Sequence, residues 1–262
     1  MLNTIIQGDC LEVMKNIRDF SVDMILCDLP YGTTACKWDV VIPFDKLWES
    51  YFRIIKDPGA IVLTSSQPFT SLLLTSNLKK FRHEMIWFKN VPTGMTNSAY
   101  SPMKYHESIL VFSKEPIKIY NKQMEDREGK GKDCYKYEHY CGDSNHVKMN
   151  KVKKFYDVDL VNPSSVLLFN VVPNRNGKLH PTQKPVALFE YLIKTYSNEN
   201  DTVLDNCIGS GTTAIACLNT KRNYIGIEKE EEFFQKANER VAQWKKDNVA
   251  KERLENFFEN SN

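Results

Sequence analysis

Short apolar segments alternate along this chain with longer amphipathic ones, and this alternation constrains the fold more than any other feature. Strand-like segments are predicted near residues 4–7, 22–27, 60–64, 83–88, 107–112, 166–169, 202–205 and 224–227. Helical periodicity, with apolar side chains three and four residues apart, is predicted near residues 10–18, 44–57, 184–197, 212–219 and 230–247. Strands that alternate with helices predict an α/β fold, in which helices cover both faces of a mostly parallel sheet.

The alternation breaks down between residues 114 and 162, a stretch too long for a plain loop in a compact domain. Residues 100–184 carry 15 Lys/Arg and 10 Asp/Glu, whereas the whole chain of 262 residues carries 35 and 33. The local basic excess is compatible with a surface that faces a polyanion, or with ordinary surface variation. We expect one catalytic and cofactor-binding domain from residues 1–114 and 179–250, an insertion over 115–178, and a polar tail over 251–262.

The cysteine pattern indicates a reducing compartment, and the lack of long apolar segments argues against a membrane span. The seven cysteines are odd in number and form no C-x-x-C pair, which favours reduced thiols over a disulfide framework or a zinc site. No apolar run approaches the roughly 18 residues of a membrane span, and the N-terminal residues show no secretory pattern. We therefore expect a cytoplasmic protein that contacts no membrane and binds no metal.

A glycine-rich turn follows the strand predicted over 202–205. Its two glycines, Gly209 and Gly211, permit a tight turn and a close backbone approach to a ligand, and the next helix opens with unpaired N–H groups. Glu228 ends the following strand, where a carboxylate can accept hydrogen bonds from both hydroxyls of a ribose. This pair indicates an adenosine-containing ligand, and a tight turn beside a surface Glu is the structural alternative. The chain has no G-K-[ST], which excludes a P-loop.

The segment Cys27-Asp28-Leu29-Pro30-Tyr31-Gly32, at the end of another predicted strand, is the second candidate site. Asp28 is an acceptor-only carboxylate at neutral pH, and Pro30 keeps a carbonyl oxygen within a stiffened turn. Tyr31 adds a flat ring, so the three residues can hold a planar group that carries an amino group. A plain turn built from Asp, Pro and Gly is the structural alternative.

Together these motifs resemble the DNA amino-methyltransferases that use S-adenosylmethionine, in the permuted beta group whose catalytic half precedes its cofactor half. Asp28-Leu29-Pro30-Tyr31 matches the Asp-Pro-Pro-Tyr catalytic motif, with Leu29 in place of the first proline. The segment from Asp205 to Gly211 resembles the glycine-rich cofactor motif. Three further segments are similar to family segments: Gly8-Asp9-Cys10-Leu11, His106 to Lys114, and His180-Pro181-Thr182-Gln183-Lys184-Pro185.

The resemblance implies a Rossmann-like methyltransferase with a seven-stranded type of sheet and S-adenosylmethionine as cofactor. It implies that Asp28 and the Pro30 carbonyl accept the two N6 hydrogens of a flipped-out adenine while Tyr31 stacks on the base. Glu228 would hold the ribose, Thr182 and Lys184 the carboxylate of the methionine part, and Asp9, Cys10 and Leu11 the adenine. The complete implied cofactor set is Asp9, Cys10, Leu11, Asp28, His180, Thr182, Lys184, Asp205, Asn206, Gly209, Ser210, Gly211, Thr212 and Glu228.

We expect target recognition within residues 115–178. Residues 118–154 hold ten Lys/Arg and six Asp/Glu with four interleaved tyrosines, a composition that suits phosphate neutralisation and base contact. Lys151, Lys153 and Lys154 are the expected DNA contacts beside Tyr31. A surface loop without a DNA role is the alternative. The expected partners are double-stranded DNA, a second copy of the chain and a cognate restriction endonuclease.

Other functions stay open at this point. Asp at position 28 favours adenine N6, but cytosine-N4 methylation is an alternative, as is methylation of RNA or protein by the same cofactor fold. The biological role is restriction–modification, a phage function or orphan methylation. A DNA-binding relic without activity is disfavoured, because Asp28, Pro30, Tyr31 and Glu228 are all present.

Overall fold

A computed structural model describes residues 1–34, 36–126, 160–173 and 183–259, with side chains of the last helix described as far as residue 249. The chain divides into two compact units. The first, called the main unit below, contains Met1–Asn121 and Ser165–Asn262, and the second contains Lys122–Ser164.

Ten strands and six α-helices make up the regular structure of the described residues. The strands are β1 (Thr4–Gln7), β2 (Val22–Asp28), β3 (Ile55–Ser65), β4 (Phe81–Thr93), β5 (Lys104–Phe112), β6 (Glu125–Asp126), β7 (Leu160–Val161), β8 (Val166–Leu168), β9 (Thr202–Asp205) and β10 (Asn223–Glu228). The helices are α1 (Cys10–Met14), α2 (Phe44–Ile54), α3 (Phe69–Ser76), α4 (Val186–Tyr196), α5 (Thr212–Asn219) and α6 (Glu231–Glu259).

The main unit is built on an eight-stranded sheet in the order β1-β10-β9-β2-β3-β5-β4-β8. The pairs β3–β5 and β5–β4 are antiparallel, and the other neighbours are parallel. Successive residues of the central strand β2 enter opposite cores because side chains alternate along a strand. Met24 and Leu26 pack with α4, α5 and α6, whereas Ile25 and Cys27 pack with α1, α2 and α3. The predicted α/β fold with helices on both faces is thereby confirmed.

Strands β2 and β9 lie side by side, and the direction in which the chain adds further strands reverses between them. Met24 pairs with Val203 and Ile25 with Leu204, in parallel. From β9 the chain proceeds outward to β10, while from β2 it proceeds to β3 on the other side. Connections that diverge at such a point leave a crevice outside the carboxyl ends of the strands, where open α/β sheets bind ligands.

The second unit, Lys122–Ser164, contains fewer residues than the expected insertion over 115–178. Val166–Leu168 forms β8, which pairs with β4 as the last strand of the main sheet. Asn121 also belongs to the main unit, because its side-chain amide donates hydrogen bonds to the carbonyls of Lys194 and Ser197. Within the second unit, Glu125–Asp126 pairs antiparallel with Leu160–Val161.

Other differences concern helix boundaries. Helix α2 ends at Ile54 because Ile55 already pairs with Val22 in the sheet, so β3 begins earlier than expected. Helix α6 continues to Glu259 through the segment expected as a polar tail from residue 251. None of the described helices combines the length and the apolar character that a bilayer crossing requires.

Candidate active site

A cavity of about 440 Å³ opens at the carboxyl ends of β1, β2, β9 and β10, a volume typical of small-molecule sites. It brings together residues that sequence reasoning placed in both candidate motifs. The predicted residues that line it are Asp9, Cys10, Leu11, Asp28, Pro30, Tyr31, Lys184, Asp205, Asn206, Gly209, Ser210, Thr212 and Glu228.

The glycine turn after β9 is fastened to the end of β10 by Glu228. Gly209 has a left-handed φ of 53°, and its N–H donates to Glu228 Oε2 at 2.8 Å. The N–H of Glu230 donates to Glu228 Oε1 at 2.9 Å. Glu228 is only 8% exposed, and burial raises the pKa of its carboxyl above the ordinary value. A carboxylate offers about four acceptor positions, so Glu228 keeps acceptor capacity for a ligand hydroxyl.

Gly211 differs from Gly209 because it is absent from the cavity wall. It stands before α5 with a φ of 80°, and a Cβ there would lie 3.2 Å from the Cβ of Ala237 on α6. Its predicted place in the cofactor set therefore corresponds to backbone geometry and the packing of α6 rather than to a wall of the cavity.

Two polar residues of the same turn are already engaged within the protein. Asp205 accepts hydrogen bonds from the Cys207 N–H at 3.0 Å and from the Thr213 hydroxyl, and burial raises its pKa to about 7. Asn206 Oδ1 accepts a hydrogen bond from the hydroxyl of Tyr51 on α2. These contacts fix the turn from both faces of the sheet.

The segment after β1 forms the neighbouring wall. Asp9 caps α1, since its Oδ1 accepts a hydrogen bond from the Leu11 N–H at 3.0 Å. A hydrogen bond with Cys207 raises the pKa of the Cys10 thiol, so Cys10 serves as a neutral wall rather than a nucleophile.

The wall residues fit a nucleoside that carries a positive charge. Seven carboxylates and four lysines line the cavity, so acidic groups predominate, and three of the carboxylates are at most 8% exposed. Leu11, Ile208 and Phe233 provide apolar surface for a flat ring. Carboxylates complement a cation and accept hydrogen bonds from hydroxyls. The seven are Asp9, Asp28, Asp39, Glu107, Asp205, Glu228 and Glu230.

Asp28 stands at the end of β2 and is held by three donors. The hydroxyls of Tyr31 and Thr64 donate to Oδ1, at 2.7 and 2.5 Å, and Lys184 Nζ donates to Oδ2 at 2.7 Å. Burial and the Asp28 charge raise the pKa of Tyr31, which keeps its hydroxyl a donor. The Tyr31 ring stacks on Phe69 with centroids 5.0 Å apart.

Leu29, which replaces the usual proline, is 3% exposed and packs in the core with α1, α2 and α3. An apolar anchor at this position keeps the segment fixed between Asp28 and Pro30.

A clamped loop follows this motif. The N–H groups of Gly32, Thr33 and Thr34 all donate to the Asp39 carboxylate, at 2.7–2.9 Å. Burial opposes ionisation of Asp39, but these bonds and one from the Thr34 side chain lower its pKa overall. Trp38 on this loop meets Phe233 of α6 edge to face. The loop therefore closes one side of the cavity.

Lys184 has two contacts within the protein that the sequence did not predict. Its Nζ lies 2.7 Å from Asp28 Oδ2 and 3.2 Å from Glu107 Oε2. The expected contact with a cofactor carboxylate stays a prediction. Burial disfavours its ammonium, but the charges of Asp28 and Glu107 raise the pKa of Lys184 overall.

Several residues of the site were missed by sequence reasoning. Thr64, Asp39, Tyr51 and Lys89 lie in unremarkable local patterns, and only Glu107 falls in a segment with a family signal. The predicted residues His180, Thr182, Lys151, Lys153 and Lys154 lie outside the described residues.

Comparisons with known proteins agree with this geometry. Residues 22–239 match the model of a family described as DNA methylase, N6_N4_Mtase. The Type II methyltransferase M.HpaI of Haemophilus parainfluenzae is 31% identical over 252 residues, which cover 90% of this chain and 73% of that protein. The Type II methyltransferase M.HinfI of Haemophilus influenzae is 28% identical over 274 residues, with 93% and 69% covered.

Solved structures share the architecture. The crystal structure of an M1.HpyAVI–SAM complex superposes with a TM-score of 0.61 at 27% identity, over 91% of this chain and 98% of that one. The cytosine-N4-specific PvuII DNA methyltransferase gives a TM-score of 0.62 at 15% identity, over 90% and 84%, and so shares the fold alone.

Proposed function

The chain belongs to the DNA methylase family of N6 and N4 amino-methyltransferases, and we propose that it methylates N6 of adenine in duplex DNA with S-adenosylmethionine as donor. One observation carries the proposal. At the β2/β9 reversal, a fixed acceptor, Asp28, shares a single cavity with the glycine turn and Glu228.

The residues present fit the donor. When bound, S-adenosylmethionine supplies an electrophilic methyl group on a sulfonium. Glu228, which lines the cavity, would accept hydrogen bonds from the ribose hydroxyls, and the segment Asp9-Cys10-Leu11 would flank the adenine ring. Asp205 and Asp28 add negative charge beside the cationic part. His180 and Thr182 complete the proposed contacts with the methionine part.

Asp28 and Pro30 act on the target base. Their carboxylate and carbonyl oxygens accept hydrogen bonds from the two N–H groups of the exocyclic amine, which localises the nitrogen lone pair. With the donor bound, the nitrogen would form a bond to the methyl carbon as the carbon–sulfur bond breaks, which would leave S-adenosylhomocysteine, and the amine would release one proton. Tyr31 stacks on the base, and Phe69 holds the plane of the Tyr31 ring. A base within a duplex cannot reach this cavity, so the adenine must be flipped out.

Methyl transfer from labelled S-adenosylmethionine to duplex DNA, followed by nucleoside analysis, tests the proposal. We expect N6-methyladenine as product, and its absence with Asp28→Ala serves as the control. N4-methylcytosine as the sole product would overturn the base assignment within the same family. Label on RNA or protein, with none on DNA, would overturn the DNA substrate.

We further propose that target recognition lies within residues 115–178, with Lys151, Lys153 and Lys154 on phosphates, and that residues 1–114 and 179–250 supply the catalytic and cofactor-binding domain. The basic and tyrosine-rich composition supports this role. Long-read sequencing of DNA from host cells that express the protein should show modified adenines within one shared sequence. Modification without a shared sequence would contradict this role.

The Type II names of the relatives support a restriction–modification role with a cognate endonuclease. We propose a homodimer as the working form, and light scattering of the purified protein measures it. A monomer at working concentration would contradict that part.

A further inference from the structure

Four charged side chains of alternating sign form a continuous chain behind the catalytic motif. Asp28 Oδ2 lies 2.7 Å from Lys184 Nζ, which lies 3.2 Å from Glu107 Oε2, and Glu107 Oε1 lies 3.1 Å from Lys89 Nζ. Lys89 and Lys184 are 2% and 6% exposed, and Glu107 and Asp28 are 15% and 20% exposed. The chain joins the end of β2, the segment before α4, and strands β5 and β4.

Such a chain is weak evidence of stability, because apolar residues of similar volume often replace buried ion pairs at no cost. A contribution to stability therefore does not explain why these ion pairs lie against the cavity wall. Glu107 Oε2 has no hydrogen-bond partner within the described residues, although Lys184 Nζ is within ion-pair distance. Glu107 thus holds Lys184 through charge rather than through a well-directed hydrogen bond.

The lone pairs of Asp28 identify which of its oxygens faces a substrate. A carboxylate offers about four acceptor positions, two on each oxygen. The hydroxyls of Tyr31 and Thr64 take both positions on Oδ1. Lys184 takes one position on Oδ2. The remaining position lies on Oδ2, next to the ammonium.

We propose that Lys184 is a positioning residue for catalysis, which fixes Asp28 Oδ2 as the oxygen that accepts the target amino group, while Glu107 and Lys89 fix the ammonium. This inference rests on the proposed function. It differs from the role that sequence resemblance implied for Lys184, because it assigns the ammonium to the acceptor side of the reaction and not to the cofactor carboxylate.

The first test separates these two roles by kinetics and calorimetry. Lys184→Met should lower kcat on the order of a hundredfold at saturating DNA and cofactor, with the Kd for S-adenosylmethionine changed less than about twofold. Lys184→Arg keeps the charge and should recover part of the rate. Lys56→Met is the matched control, since Lys56 forms a 2.7 Å ion pair with Asp23 at the opposite end of β2.

The second test uses Glu107→Gln, which keeps the side-chain shape and removes only the charge. The groups that face Lys184 are Asp28, Glu107 and the Tyr31 ring, and Lys89 lies behind Glu107. Without the Glu107 charge the ammonium is held by Asp28 alone, so kcat should fall, by less than in Lys184→Met, while the Kd for S-adenosylmethionine changes less than about twofold. Lower thermal stability with an unchanged kcat would show a purely structural role.

The outcomes are distinguishable. Wild-type protein that transfers no methyl to DNA overturns the proposed function itself. If wild type is active and Lys184→Met keeps its kcat but loses cofactor affinity tenfold or more, on the order of one hydrogen bond, Lys184 is a cofactor ligand and the inference fails. If Lys184→Met does not fold, as judged by circular dichroism, Lys184→Arg and Glu107→Gln decide. An unchanged kcat in Glu107→Gln overturns the role of Glu107.

Discussion

Replacing Glu228 with Gln should weaken cofactor binding by an amount that follows from its contacts. Hydrogen bonds to a charged acceptor contribute about 1.5–3 kcal/mol and neutral ones about 0.5–1.5 kcal/mol. Two ribose hydroxyls that meet an amide instead of a carboxylate therefore lose roughly 2–3 kcal/mol together. This loss raises the Kd for S-adenosylmethionine on the order of 30- to 150-fold.

Glu228→Gln is a better test than Glu228→Ala, because the Glu228 carboxylate also has a structural role. Its two oxygens accept the N–H groups of Gly209 and Glu230, so Ala would release the glycine turn as well as the ribose. Gln still leaves one of these N–H groups without an acceptor, which costs about 1–3 kcal/mol of folding stability. Thermal unfolding measures that cost separately from calorimetric titration with cofactor. Glu232→Gln, on the exposed first turn of α6, is the control.

The pH dependence gives an independent check. Burial raises the pKa of Glu228, and the ribose hydroxyls require its carboxylate form. Wild-type affinity should thus be full above this raised pKa and should fall as pH drops through it. In Glu228→Gln the contribution of Glu228 to this limb should vanish, because the amide does not titrate, and only the contribution of Asp205, whose pKa is raised to about 7, should stay. An unchanged Kd in the variant, with the same pH profile as the wild type, would place the ribose elsewhere.

Further predictions concern the other parts of the site. Asp28→Asn should lower kcat on the order of a hundred- to thousandfold while the cofactor Kd stays nearly constant, and retained turnover would remove Asp28 from the acceptor role. Asp39→Asn should loosen the clamped loop and speed its cleavage by limited proteolysis, because three N–H groups share that carboxylate. Neutralising Lys151, Lys153 and Lys154 together should flatten the slope of log K against log salt by about 0.9 per phosphate contact. An unchanged slope would show that these three lysines face solvent.

The sequence predicted the central sheet well because its signals are local. Buried parallel strands such as β2 and β9 are short apolar runs, and each ends in an acidic residue, Asp28 or Asp205. Since carboxyl ends of neighbouring parallel strands share one edge, the meeting of the two motifs followed from topology. The same reasoning failed for α3, because Phe69–Ser76 is apolar with little helical asymmetry, and such a short segment has no clear period.

Local sequence patterns did not predict which residues the charged side chains contact. Lys184 precedes a helix in a segment that resembles a cofactor motif, and that pattern specifies an ammonium at this place but not the anion that it meets. Its partner Asp28 is 156 residues away in sequence, and they meet only because the segment before α4 returns to the carboxyl end of β2. Glu107 reaches the same ammonium from β5, and its position follows from the antiparallel pairing of β5 with β3. In that pairing Ser108 lies opposite Ser65, the residue after Thr64. Thr64 and Glu107 thus reach Asp28 and Lys184 through one strand pair, so the acceptor and the charge behind it are positioned by the register of the sheet.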